Sequence, residues 1–97
     1  MRHFHRTSVT PGEVLEEADR YFGELGLTRS NADARSRQYS GALGAFSLTV
    51  RMEGGHYTLV EASTDQVGES RLDKNVKKYF VGLHRMSDSR HRIEAGF

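Results

Sequence analysis

Arg35, Arg37, Tyr39, Tyr57 and Glu61 are the residues whose types and spacing could recognise a small polar ligand. The reasoning starts from a hairpin. Phe46, Leu48, Val50 and Met52 alternate with Ser47, Thr49, Arg51 and Glu53, and Gly54-Gly55 reads as a two-residue turn. That turn sets Glu53 against His56, Met52 against Tyr57, Val50 against Leu59, Leu48 against Glu61 and Phe46 against Ser63. Cross-strand partners share a face, so Glu61 is expected among Leu48 and Val50. A carboxylate there is costly unless it is paired or protonated. If the loop at 41–44 has an even length, Tyr39 faces Phe46 and Arg37 faces Leu48. Arg37, Leu48 and Glu61 then form one row flanked by Arg35 and Tyr39, a pocket wall for a small polar ligand. An odd loop instead turns Ala34, Ser36 and Gln38 inward, and a bulge in the second hairpin turns Glu61 out to solvent.

Other chemistry is thinner. His3 and His5 lie on one side of an alternating stretch, but a third ligand from His56, His84 or His91 would have no diagnostic metal spacing. The bland alternative is a polar edge strand. No serine sits in a Gly-x-Ser-x-Gly elbow, and Gly41-Ala42-Leu43-Gly44 lacks the lysine and helix of a phosphate loop. There is no cysteine, which excludes thiolate chemistry and disulfides and leans toward the cytoplasm. One candidate carboxylate is not a mechanism, so the reading leans away from an enzyme while leaving catalysis open, and it names no cofactor and no metal.

The elements that must position these residues are well signalled. The first nine residues alternate as a short strand, with His3, His5 and Thr7 on one side and Phe4, Arg6 and Ser8 on the other. Thr10, Pro11 and Glu13 form an N-cap, first-turn proline and capping box, and Val9 and Val14 are spaced as a hydrophobic staple. Val14, Ala18, Tyr21, Phe22 and Leu25 make one helical face, and Gly26 is the stop onto which Leu27 folds back. Asn31-Ala32-Asp33 reads as a turn and 34–40 as a strand. Ser70 and Asp73 open a second helix whose buried face is Leu72, Val76, Tyr79, Phe80 and Leu83. Gly82 within it suggests a close approach to the sheet. Residues 87–97 read as a frayed polar tail.

The whole is one domain over 1–97. Its class is α+β: an antiparallel sheet of about four to five strands in β-α-β(3-4)-α order with two helices packed on one face. This order resembles the TBP-like arrangement of the START/Bet v 1-like ligand-binding domains. The likeness rests on the strand running into Thr10-Pro11-Gly12-Glu13-Val14 and on the long helix Ser70–Met86. It implies a pocket between the sheet and the last helix, holding a small hydrophobic or aromatic ligand.

Partners of other kinds are also weighed. The uncovered sheet face, expected to carry Thr49, Thr58, Val60 and Ala62, would suit a homodimer or another protein. Residues 71–92 are rich in Arg and Lys, which could neutralise phosphates. No nucleic-acid motif accompanies them and the chain's net charge is only +1, which argues against nucleic acid. The first helix is acidic and the second basic, so the two could attract side by side. No apolar run approaches the length of a membrane span, and MRHFHRTSV has no signal-peptide core.

Overall fold

The structure, a computed structural model, describes residues 1–95, with side chains through Asp88. The chain runs β1 (Arg2–Thr7), α1 (Pro11–Glu24), β2 (Thr28–Ala32), β3 (Ser36–Gly41), β4 (Gly44–Glu53), β5 (Tyr57–Thr64) and α2 (Arg71–Ala95). The strands form one five-stranded antiparallel sheet in the order β1-β5-β4-β3-β2. Both helices pack on one face of it, closing an α+β domain of β-α-β4-α order. Among the described residues no helix is long and apolar enough to cross a membrane.

Local signals build α1 as read. The Thr10 hydroxyl accepts from the Glu13 amide at 3.4 Å, and Val9 and Val14 are both buried at the helix entry. At the other end the Leu27 amide donates to the Phe22 carbonyl at 2.9 Å and the Gly26 amide to Gly23 at 3.1 Å. Gly26, at φ 93°, takes the left-handed conformation this Schellman closure needs. Val14, Leu15, Ala18 and Phe22 are the buried face.

β2 is a strand that the sequence did not suggest, and it takes in Asn31 and Ala32, which were expected in a turn. Its five residues are all exposed, so it carries no apolar alternation to read. The turn itself falls at Asp33, whose carboxylate accepts from the Arg35 amide and the Ser36 hydroxyl, each at 2.8 Å.

The β3–β4 hairpin has the even-length loop. Tyr39 pairs with Phe46 and Arg37 with Leu48. Gly44 closes it at φ 128°, where a Cβ would stand 2.6 Å from the Gln66 side-chain nitrogen and 2.8 Å from an Asp65 carboxylate oxygen.

The β4–β5 hairpin corrects the expectation. Glu53 pairs with Tyr57, not His56, so Gly54, Gly55 and His56 all lie in the loop. The added residue moves every β5 side chain to the opposite face. Leu48 faces Ala62 and Val50 faces Val60, while Glu61 sits opposite Thr49. Thr58, Val60, Ala62 and Thr64 are therefore buried under the helices, and of the residues expected on the uncovered face only Thr49 is there. The physical reason is burial: this register seals Val60 and Ala62 in the core and keeps the Glu61 carboxylate out of it.

α2 begins at a capping box. The Asp73 amide donates to the Ser70 hydroxyl at 3.1 Å, and that hydroxyl donates back to the carboxylate at 2.6 Å. Leu72, Val76, Tyr79, Phe80 and Leu83 are buried as expected. The helix runs on to Ala95, well past the point where a frayed tail was expected. Gly82 makes no close approach, since a Cβ there would meet nothing within 4 Å. The two helices meet through Tyr21 donating to Asn75 at 2.9 Å and the Tyr79 hydroxyl donating to the Val14 carbonyl at 2.6 Å.

Candidate functional site

Three polar assemblies emerge from this register, and two of them are fully committed to holding the fold. The first sits at the start of α2. Asp73 is wholly buried, yet its carboxylate meets His3 Nε2 at 2.7 Å, the Thr64 hydroxyl at 2.9 Å and Ser70. Burial alone would raise its pKa, but the hydrogen bonds from Ser70, His3 and Thr64 outweigh that and hold it at about 2. This network ties β1, β5 and α2 together.

The second assembly gathers on Asp19 of α1. Its carboxylate receives Arg29 at 3.0 Å, the Arg37 Nε at 3.2 Å and the Tyr39 hydroxyl at 2.7 Å. Arg37 also donates to the carbonyls of Asp33 and Ser36. Burial first, and then the Asp19 carboxylate, push the Tyr39 phenol well above its ordinary value, so it stays a donor. Arg37 and Tyr39 thus do come together on the inner face, but the carboxylate between them is Asp19 rather than Glu61. Glu61 pairs with Arg2 on the opposite face of the sheet. Arg35 is exposed in the turn and contributes its backbone carbonyl, which accepts from the Val50 amide at 2.9 Å.

The third assembly is not committed. Where β1 ends and β5 begins, α2 passes over the end of the sheet and leaves a cleft of about 220 Å³ lined by His5, Arg6, Thr7, Ser8, Tyr57, His84 and Ser87. Its floor is held firmly. Thr7 is buried and its hydroxyl accepts from the Val9 amide at 3.1 Å, while the Thr58 hydroxyl donates to the Val9 carbonyl at 2.7 Å. Ser8 and Ser87 are hydrogen-bonded to each other, joining the strand exit to the helix. His5 points to the helix layer because it pairs with Val60, and its ring stacks on Phe80 with centroids 5.1 Å apart. His84 follows Phe80 by one helical turn, so the same packing brings it to the cleft.

Around this cleft three side chains have hydrogen-bonding capacity to spare. His5 Nε2 is buried without a partner among the described residues. The Tyr57 hydroxyl and the His84 imidazole make no hydrogen bond to a described residue. Burial, reinforced by His84, lowers the His5 pKa below its ordinary value, so the ring is neutral at pH 7. Among the described residues no carboxylate lines the cleft. Among the described residues no three His, Asp or Glu side chains gather to hold a metal.

Of the five residues proposed as ligand-binding, Tyr57 alone lies in this cleft. His5 drew notice only as a chelator, and His84 only as a possible third ligand. The usable signal was the alternation that put His5 on the inner side of β1, together with the position of His84 four residues after Phe80.

The molecule is therefore a small α+β domain with an uncovered sheet face and a polar cleft at the end of the sheet. The chain matches no protein-family model, and no curated protein matches it in sequence.

Proposed function

We propose that this domain is a non-catalytic binding module that holds a small molecule in the cleft between the end of the sheet and α2. The observation that carries the reading is the convergence on one concave site of His5, whose buried Nε2 has no partner among the described residues, with the exposed Tyr57 hydroxyl and His84 imidazole, which make no hydrogen bond to a described residue. The volume of about 220 Å³ suits a ligand smaller than a typical drug. The Phe80–His5 stack gives the site an aromatic wall. A site between sheet and last helix is also what the resemblance to START/Bet v 1-like domains implies. Ser8 is hydrogen-bonded to Ser87, and among the described residues neither serine bonds His5 or His84, which favours binding over catalysis.

The test is a titration of the isotope-labelled protein with a library of small fragments, followed by amide chemical shifts. Binding fragments are expected to move His5–Ser8, Tyr57 and His84–Ser87 together. Shifts that appear only elsewhere, or none across the library, overturn the reading.

A second reading has its own support. Phe4 and Tyr57 are 57% and 54% exposed at or beside the uncovered face of the sheet, which would suit a second copy of the chain. Sedimentation equilibrium of the native protein and of Phe4→Ser decides it. A dimer weakened by the substitution supports the reading, and a monomer at high micromolar concentration removes it.

A further inference from the structure

The chemistry of the cleft lining narrows the ligand. Two imidazoles, a phenol and the serine and threonine hydroxyls surround the space, and Arg6 contributes to the rim. Arg6 is paired with Glu53 at 3.0 Å on the outer face, so its charge is already countered. The groups left over are His5, Tyr57 and His84. A phenol donates readily, an imidazole can place a proton on either nitrogen, and none of the described residues lining the cleft is acidic. Such a lining offers donors to an acceptor-rich group, and an imidazole that takes a second proton beside an anion donates from both of its nitrogens. The volume of about 220 Å³ beside the Phe80–His5 stack leaves room for a compact apolar body next to that group.

We infer that the cleft takes a small organic monoanion, a carboxylate on a compact aromatic or aliphatic body, gripped by Tyr57 and His84 and seated against His5. This rests on the reading of the cleft as a ligand site and adds the charge of its occupant. Charge-assisted hydrogen bonds to a carboxylate are stronger than those to a neutral carbonyl of the same shape, so the cleft should discriminate between the two.

Benzoate and benzamide are matched in size and differ in charge, which makes them suitable probes. Each is titrated at one fixed near-neutral pH into the native protein and into Tyr57→Phe and His84→Ala, with amide shifts as the readout. Both substituted residues are exposed, so the variants should keep the native spectrum away from the cleft. The expected result is that benzoate moves the amides of His5–Ser8 and His84–Ser87, that benzamide binds about tenfold more weakly, and that each variant loses most of that difference. Equal binding of the two probes overturns the anion proposal while leaving the cleft as a ligand site. Silence from benzoate with binding by neutral fragments does the same. Silence from every probe overturns both.

Discussion

The ring of His5 lies nearly parallel to that of Phe80, with centroids 5.1 Å apart and planes inclined by 15°. The contact joins the first strand to the last helix and sets the back wall of the cleft. It also takes His5 largely out of water, which is the main cause of its lowered pKa. Lowering favours the neutral ring in the folded state. Below the ordinary value of 6.5 the unfolded chain takes up the proton first, so folding stability falls as pH drops from about 6.5 toward the folded value and is level below it. His5→Leu should flatten that limb of the stability–pH curve, measured by urea unfolding at closely spaced pH. An unchanged slope would show that other groups cause it.

Asp73 titrates in a different window, and its sign is opposite in origin. Its carboxyl lies at about 2, against an ordinary 3.8, so the charged form is favoured by folding. That stability is fully present above about pH 4 and is lost as pH falls through the folded value. The shift corresponds to roughly 2 kcal/mol. Asp73→Asn should lower stability at pH 7 by about that amount and shrink the difference from the native protein near pH 2. Acid unfolding curves of the two proteins provide the check.

Two glycines should respond in opposite directions to alanine. At Gly44 a Cβ would stand 2.6 Å from Gln66 and 2.8 Å from Asp65, with φ at 128°, so Gly44→Ala should cost more than about 1 kcal/mol. At Gly82 a Cβ meets nothing within 4 Å and the residue lies inside α2. Gly82→Ala should therefore stabilise by about 1 kcal/mol through helix propensity. Thermal and denaturant unfolding of both variants would reveal the contrast.

Arg37 and Glu61 should behave as strangers. Arg37 is half-buried on Asp19, whereas Glu61 meets an exposed Arg2 on the other face. Arg37→Ala should cost about 2 kcal/mol, since it strips a partner from a semi-buried carboxylate. Glu61→Ala should stay within about 0.5 kcal/mol. A double-mutant cycle should give no coupling between Arg37 and Glu61, and about 1 kcal/mol between Arg37 and Asp19. Coupling across the sheet would mean that the β4–β5 register is wrong.

Short-range signals determined much of this protein. Thr10 to Glu13, the Val9–Val14 staple, the Gly26 closure and the Ser70–Asp73 box act within one or two helical turns, so the start of each helix, the stop of α1 and most of the buried faces were legible from residue types alone, whereas Leu15 and the run of α2 past Met86 were not. The pairing of Tyr39 with Phe46 was one of two registers that the sequence left open, and the structure chose it. The tertiary structure decided what local rules leave open. One extra loop residue at His56 turned Glu61 away from the helices, because a strand has a period of two and the core accepts Val60 and Ala62 more readily than a carboxylate. β2 escaped notice because an edge strand with no buried face has no pattern to show. Arg37 found Asp19, a residue just beside the apolar stripe of α1, only when β3 was laid against that helix. The cleft belongs to the same class: His5, Tyr57 and His84 come from three elements far apart in sequence, and only the closing of α2 over the end of the sheet brings them together.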